Sequence, residues 1–404
     1  MPPPGVKFAV SMTDRIQDLS PTDRRASLTA IILHMLGVGF LIGLMMPLTA
    51  LVLESWGTSA TLIGIVAAMP ALAIVLLMPI GPRLMARWGT IKPMLAGLAV
   101  GGLALALLPL LPNVPAWIVL RFVIGAAFAL PWLVGETWIN SLASEETRGR
   151  IIGLYAATVF FGFMLGPLTL EWIGIEGRMP FLVAIGALLL SIVPLLFARR
   201  LAPRIQFEVS IPVSRILAAA PMVLGAALLA GYTEAALFGL LPVYSVHAGL
   251  PQDLSLRLLA IFLVGGLVLQ YPLGWLADRS DRRLLLTVTA VIAGAAVAAM
   301  PALVGSFVLL ALAAFVAGGA ALGFYSLGLA LLGQRFRPAE LAVANAAFIL
   351  LYESGSILGP AVGGFAMDLA DPHGLIVAVA LGCAVFAAIG LWRLLADGLA
   401  RKAP

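Results

Sequence analysis

Twelve apolar runs follow one another along this chain, near residues 28–53, 60–80, 91–111, 116–140, 150–170, 179–198, 214–243, 254–276, 283–303, 306–332, 340–367 and 374–396. Each is long enough to cross a bilayer, which takes about 20 predominantly apolar residues in helical form. Backbone polar groups in lipid must be satisfied within the segment, so runs without polar alternation mean helices. A transmembrane β-barrel would alternate polar and apolar residues, and these runs do not. The charge supply closes off a soluble fold: charged residues make up 11% of the chain, against about a quarter in soluble domains. The expectation is an all-α membrane protein of twelve transmembrane helices.

The short polar stretches between the runs carry a topology signal. With the N-terminus inside and alternation thereafter, 21 of the 24 Lys and Arg fall in cytoplasmic segments. Arg178 and Arg257 fall on the outer side, and Arg121 lies within or beside the fourth run. This partition follows the positive-inside rule, and an odd number of spans would scramble it. The sequence thus predicts a multi-pass protein of a bacterial inner (plasma) membrane with both termini cytoplasmic. Residues 1–27 carry Asp14, Arg15, Asp18, Asp23, Arg24 and Arg25 without an apolar core, so a cytoplasmic tail is expected rather than a cleaved signal peptide. A pI near 9.7 reflects these loops, and no nucleic-acid partner is expected.

The runs fall into two similar halves. The charged turn Gly274-Trp275-Leu276-Ala277-Asp278-Arg279-Ser280-Asp281-Arg282-Arg283 has a worn copy 192 residues earlier, in which Leu84 answers Leu276, Arg87 answers Arg279, and Ala86 stands in place of Asp278. Gly162-x-x-x-Gly166-Pro167 recurs as Gly355-x-x-x-Gly359-Pro360 at an offset of 193, and Pro47 recurs as Pro242 at 195. The expected division is a tail (1–27), a six-helix half (28–198), a cytoplasmic linker (199–215), a second six-helix half (216–396) and a tail (397–404). Parallel repeats with a substrate site between them are a known transporter plan.

On these residues the chain resembles the major facilitator superfamily (MFS). The charged turn is similar to the family signature between spans 2 and 3, with its better copy here between spans 8 and 9. Arg121 with Gly125 resembles the span-4 motif. Gly162 to Pro167 resembles the span-5 motif often found in exporters, although Leu170 stands where a glycine is expected. Gly135-Glu136-Thr137-Trp138-Ile139-Asn140, followed by Arg148-Gly149-Arg150, resembles a little-characterised bacterial branch. The resemblance implies a central cavity lined by spans 1, 4, 7 and 10. It also implies a charged loop that tunes the inward–outward equilibrium, through Gly274, Asp278, Arg279, Arg282 and Arg283, with Arg87 and Gly89 in the first copy.

Ionisable groups inside lipid are expensive and usually have a task. Glu234 lies near the middle of span 7, and desolvation favours the neutral form of a carboxylate, which suits proton exchange. A static hydrogen bond to a neighbouring helix is the competing reading. Glu353, beside the Gly355-x-x-x-Gly359 packing motif, divides evenly between function and helix pairing. Arg121 shares a helix face with Gly125, Phe128, Trp132 and Gly135; it is a candidate ligand for an anion, or a snorkelling residue. The resemblance links the matching arginine to proton coupling. Phe128, Trp132 and Tyr232 are candidate cavity aromatics. His34 in span 1 is either a coupling group or packing. Glu136 with Arg148 and Arg150 reads as a cytoplasmic gate ion pair. Gating is expected to rest more on Asp278 than on the loop between spans 2 and 3.

No G-x-x-x-x-G-K sequence occurs and none of the three lysines follows a glycine, which excludes ATP hydrolysis by a phosphate-binding loop. His34, His247 and His373 are scattered and Cys383 is the single cysteine, so no metal, cofactor or disulfide is expected. The sequence therefore predicts a secondary active transporter, not an enzyme, with no catalytic residues. It would move a small organic solute by alternating access with proton coupling, acting as a monomer in contact with membrane lipid. The span-5 motif leans toward efflux, and an uptake carrier for a vitamin or nutrient, riboflavin-like, is the alternative. A sensor or scaffold would need a sizeable soluble domain, and an intramembrane enzyme a cluster of catalytic side chains.

Overall fold

The computed structural model describes residues 10–12, 20–78, 91–142, 148–201, 205–207, 220–336 and 338–400, together with 80, 84 and 87–89. Twelve long helices follow in chain order: α1 (Pro21–Ser55), α2 (Ala60–Leu77), α3 (Ile91–Leu107), α4 (Val114–Leu142), α5 (Arg148–Ile173), α6 (Met179–Ala198), α7 (Pro221–His247), α8 (Gln252–Ala277), α9 (Arg282–Leu303), α10 (Phe307–Arg335), α11 (Pro338–Leu369) and α12 (Gly374–Ala400). All twelve contain a stretch long and apolar enough to span a bilayer. Helix α7 runs from Pro221 to His247, so Glu234 sits at mid-helix; residues 214–219 of the expected span lie outside the described residues. A short antiparallel pair, β1 (Val10–Met12) with β2 (Ile205–Phe207), was not foreseen.

The chain forms two compact units, Met1–Val52 with Met69–Ser210, and Leu53–Ala68 with Ile211–Pro404. The turn joining α1 to α2 thus belongs by its contacts to the second unit, although the sequence division put it in the first half. Its reason is local: the Asp368 carboxylate near the end of α11 accepts hydrogen bonds from Ala60 N (2.8 Å) and Thr61 N (2.9 Å), capping α2. Beside it, His247 Nδ1 lies 2.6 Å from Asp371, and its Nε2 3.7 Å from Glu54.

Large apolar side chains such as Leu103, Trp172, Leu190, Phe197 and Tyr271 are exposed, while Ser27, His34, Arg121 and Glu234 are buried. This inversion of the soluble pattern is what lipid-facing helices require.

Each unit repeats the same two close contacts. In the first, α5 lies against α1, where Gly162 and Gly166 meet the backbone of Gly39 and Gly43. In the second, α11 lies against α7, where Gly355 and Gly359 meet the backbone of Leu228 and Tyr232. Likewise Gly125 of α4 abuts Pro70 of α2, as Gly318 of α10 abuts Phe262 of α8. Small residues let backbones approach where there is no hydrophobic drive to hold helices together. The glycine repeats that signalled duplication are therefore the packing seams.

Candidate functional site

In the second unit, Glu234 projects from the middle of α7 and is 9% exposed. Tyr352 Oη of α11 donates to Glu234 Oε2 at 3.0 Å. The Tyr352 ring meets Tyr325 of α10 edge-on, with centroids 5.1 Å apart, and Tyr325 meets Phe348 at 5.3 Å. Three helices thus bring one carboxylate and two phenols together. Among the described residues Glu234 has no cationic partner. Glu353, the next residue of α11, is half-buried. One residue beyond Tyr325, Ser326 Oγ donates to Gln270 Oε1 of α8, while the buried Gln270 Nε2 has no partner among the described residues. Tyr352, Tyr325 and Gln270 were missed from the sequence, where a tyrosine or glutamine in an apolar run reads as packing.

Tyr232 turns away from Glu234. Its hydroxyl donates to Ala378 O of α12 at 3.1 Å, and its ring fills the space beside Gly382. A residue two positions from Glu234 on a helix lies about 200° round, so the two cannot share a face.

In the first unit, Arg121 is 3% exposed. Its Nη2 donates to Met46 Sδ of α1 at 3.0 Å, and its Nε is buried without a partner among the described residues. That environment does not fit snorkelling, which keeps the charged head in water. Phe128 is buried against Gly101 of α3, and Trp132 stacks on Phe163 with centroids 6.5 Å apart. His34 is fully buried with Nδ1 3.0 Å from Ser191 O of α6, while its Nε2 is buried without a partner among the described residues. Trp138, from the run that opens at Gly135, donates to Ser27 Oγ at 2.9 Å and ties α4 to α1.

At the charged turn, Asp278 is 72% exposed and its one ion pair in the described residues is a 3.4 Å contact with Arg282. Arg282 does more: Nε donates to Ala277 O at 3.0 Å and Nη1 to Ala330 O at 2.7 Å, tying the end of α8 to α10. Arg279 lies 4.2 Å over the Trp275 ring. Asp281 caps α9 by accepting from Arg283 N (2.8 Å) and Leu284 N (3.3 Å). Asp281→Ala is expected to cost about 1 kcal/mol of stability, measured as a lower melting temperature in detergent; an unchanged value would deny the cap its role. Gly274 is helical with open space beside it, Gly89 has a φ of +76°, and Arg87 lies near the Trp88 ring. Arg150 is exposed, whereas the side chains of Glu136 and Arg148 lie outside the described residues.

The sequence model of the Major Facilitator Superfamily matches residues 28–257 and 223–404. The chain is 27% identical over 354 residues to the uncharacterized MFS-type transporter YfkF of Bacillus subtilis, covering 85% of this chain and 89% of that one. It is 28% identical over 274 residues to the uncharacterized MFS-type transporter YcaD of Escherichia fergusonii, covering 66% of this chain and 69% of the relative. Among solved structures, a variant of the nucleoside transporter NupG superposes with a TM-score of 0.73 at 16% identity, covering 91% of this chain and 99% of that chain. A bacterial homolog of the human lysosomal transporter Spinster, inward-facing and unoccupied, gives 0.66 at 16% identity over 94% and 96%.

Proposed function

The chain belongs to the major facilitator superfamily, and on that premise we propose that it moves a small organic solute by alternating access with a proton carried on Glu234. One observation carries this reading: a carboxylate buried at mid-span whose single partner among the described residues is the Tyr352 hydroxyl. While the site is closed to water such a group is neutralised by a proton or by a cationic ligand, and a proton can be released when the site opens. Tyr352 orients the ionised carboxylate; Tyr325 and the free amide of Gln270 offer an aromatic face and a hydrogen-bond donor nearby for a solute. Glu353 remains a second candidate on the same helix. Arg121 would hold a negatively charged group of a solute or counter-ion, and Arg282, with Asp278, would set the balance between facing states. The Glu136–Arg148/Arg150 gate pair remains part of the same proposal.

The test is uptake and efflux in proteoliposomes over a solute panel that includes nucleosides and planar vitamins, with and without an imposed pH gradient. Transport that responds to the gradient supports the reading. A transported solute indifferent to it would make the protein a passive carrier. The preferred direction, for which the span-5 motif leans to efflux, follows from which gradient polarity accumulates solute. Nutrient uptake is the alternative, supported by the tyrosine pair as a stacking surface.

The partition of 21 of 24 basic residues supports cytoplasmic termini in a plasma membrane. A fluorescent protein fused after Pro404 is expected to fluoresce, and alkaline phosphatase at the same point to be inactive; the opposite pattern would reverse the topology.

A further inference from the structure

We infer that a cavity in the second unit, at the ends of α7, α9, α10 and α12, holds the phosphate headgroup of an anionic phospholipid. Its volume is about 490 Å³, and Arg283 and Arg393 both line it. Both guanidinium-bearing side chains are half-buried, Arg283 in the first turn of α9 and Arg393 in the last turns of α12. The first turn of α7 forms a third side through Met222 and Val223. Pro221 occupies the start of that 27-residue helix, and no side chain caps it. The first amides of a helix have no intrahelical partner, and the aligned peptide dipoles place partial positive charge there. Two guanidinium groups and a helix start therefore converge on one recess, and phosphate oxygens match both kinds of donor.

A lipid, rather than a dissolved phosphate, fits the remainder of the wall. Leu331 and Leu394 line the cavity with Trp392, which is 67% exposed. A tryptophan so placed at the end of a spanning helix belongs to the interfacial belt. From there Leu284 and Val288 of α9 and Leu391 and Leu395 of α12 continue outward as exposed apolar surface, on two helices that pack together. Acyl chains would run along that surface while the headgroup sits among the arginines. Basic recesses between spanning helices on the cytoplasmic side are the setting in which such headgroups bind. This inference stands apart from the proton-coupling proposal and does not need it.

The experiment uses the full chain, purified in mild detergent and mixed with phosphatidylglycerol or phosphatidylcholine at equal mole fraction. Lipid retention is read by native mass spectrometry, and melting temperature alongside it. Phosphatidylglycerol is expected to be retained and to raise the melting temperature, and phosphatidylcholine to do neither. In the double variant Arg283→Gln with Arg393→Gln, retention should fall roughly twenty-five-fold, about fivefold for each arginine. The double lysine variant should regain most of it, which separates lost charge from misfolding. Equal retention of the two lipids, or wild-type retention in the glutamine variant, would overturn the site. Protection by inorganic phosphate equal to that by phosphatidylglycerol would overturn the lipid as its occupant. Glutamine and lysine variants that both lose retention while melting as wild type does in phosphatidylcholine would likewise overturn it.

Discussion

Glu234→Gln is expected to lower pH-gradient-driven transport by roughly a hundredfold, the lower range of what a positioned proton-transferring group contributes. Exchange of labelled for unlabelled solute without a gradient should persist. The reason lies in the environment of the carboxylate. Glutamine has nearly the same shape, and its amide oxygen can still accept from Tyr352 Oη. What it cannot do is lose and regain a proton. It mimics the protonated carboxylate in both facing states, so the helices can still rock with solute bound while the proton has no carrier. Tyr352→Phe should give an intermediate loss, because the carboxylate keeps its charge but loses its one donor. Proteoliposome assays with imposed pH gradients check both. Wild-type gradient dependence in Glu234→Gln would remove this residue from the coupling path, and the role would pass to Glu353 or Arg121.

Gly355→Val should leave almost no monodisperse protein after extraction. A Cβ at Gly355 would overlap the Leu228 carbonyl oxygen and press on Tyr232 N, and both atoms are backbone. An overpacked side chain can be relieved by a rotamer change at roughly 1–3 kcal/mol; a helix backbone has no such freedom, so α7 and α11 must separate. That seam also positions Tyr352 against Glu234, so stability and site would fail together. Gly274→Ala is the internal control. It is also a helical glycine, but no atom lies within 4 Å of its added methyl. In a helix this change should raise stability by roughly 0.5–1 kcal/mol. Size-exclusion profiles and melting temperatures of the two variants are the measurement. If both behave as wild type, the close α7–α11 contact does not govern the fold.

Duplication, span count and the glycine seams were all readable because each is a local or periodic property of the chain. Glu234 was readable for a related reason: a carboxylate amid apolar residues stands out whatever it touches. The aromatic candidates fared differently. Phe128 and Trp132 share a helical face with Arg121, yet one packs on Gly101 and the other stacks on Phe163. Tyr232 faces α12 instead of Glu234, and His34 bonds to α6. The cap that the Asp281 carboxylate provides for α9 likewise appears only in the fold.

Hydropathy and repeat spacing by themselves determined that this chain crosses the membrane twelve times in two related halves, since each span must satisfy its own backbone in lipid. They also determined which side chains would be costly to bury. Only the tertiary structure decided the partners: Tyr352 for Glu234, Met46 for Arg121, Asp368 for the start of α2. A helix that is apolar all round has no preferred face. Its rotation about its own axis is set by close packing at glycines far apart in sequence, and that rotation chooses which polar groups meet.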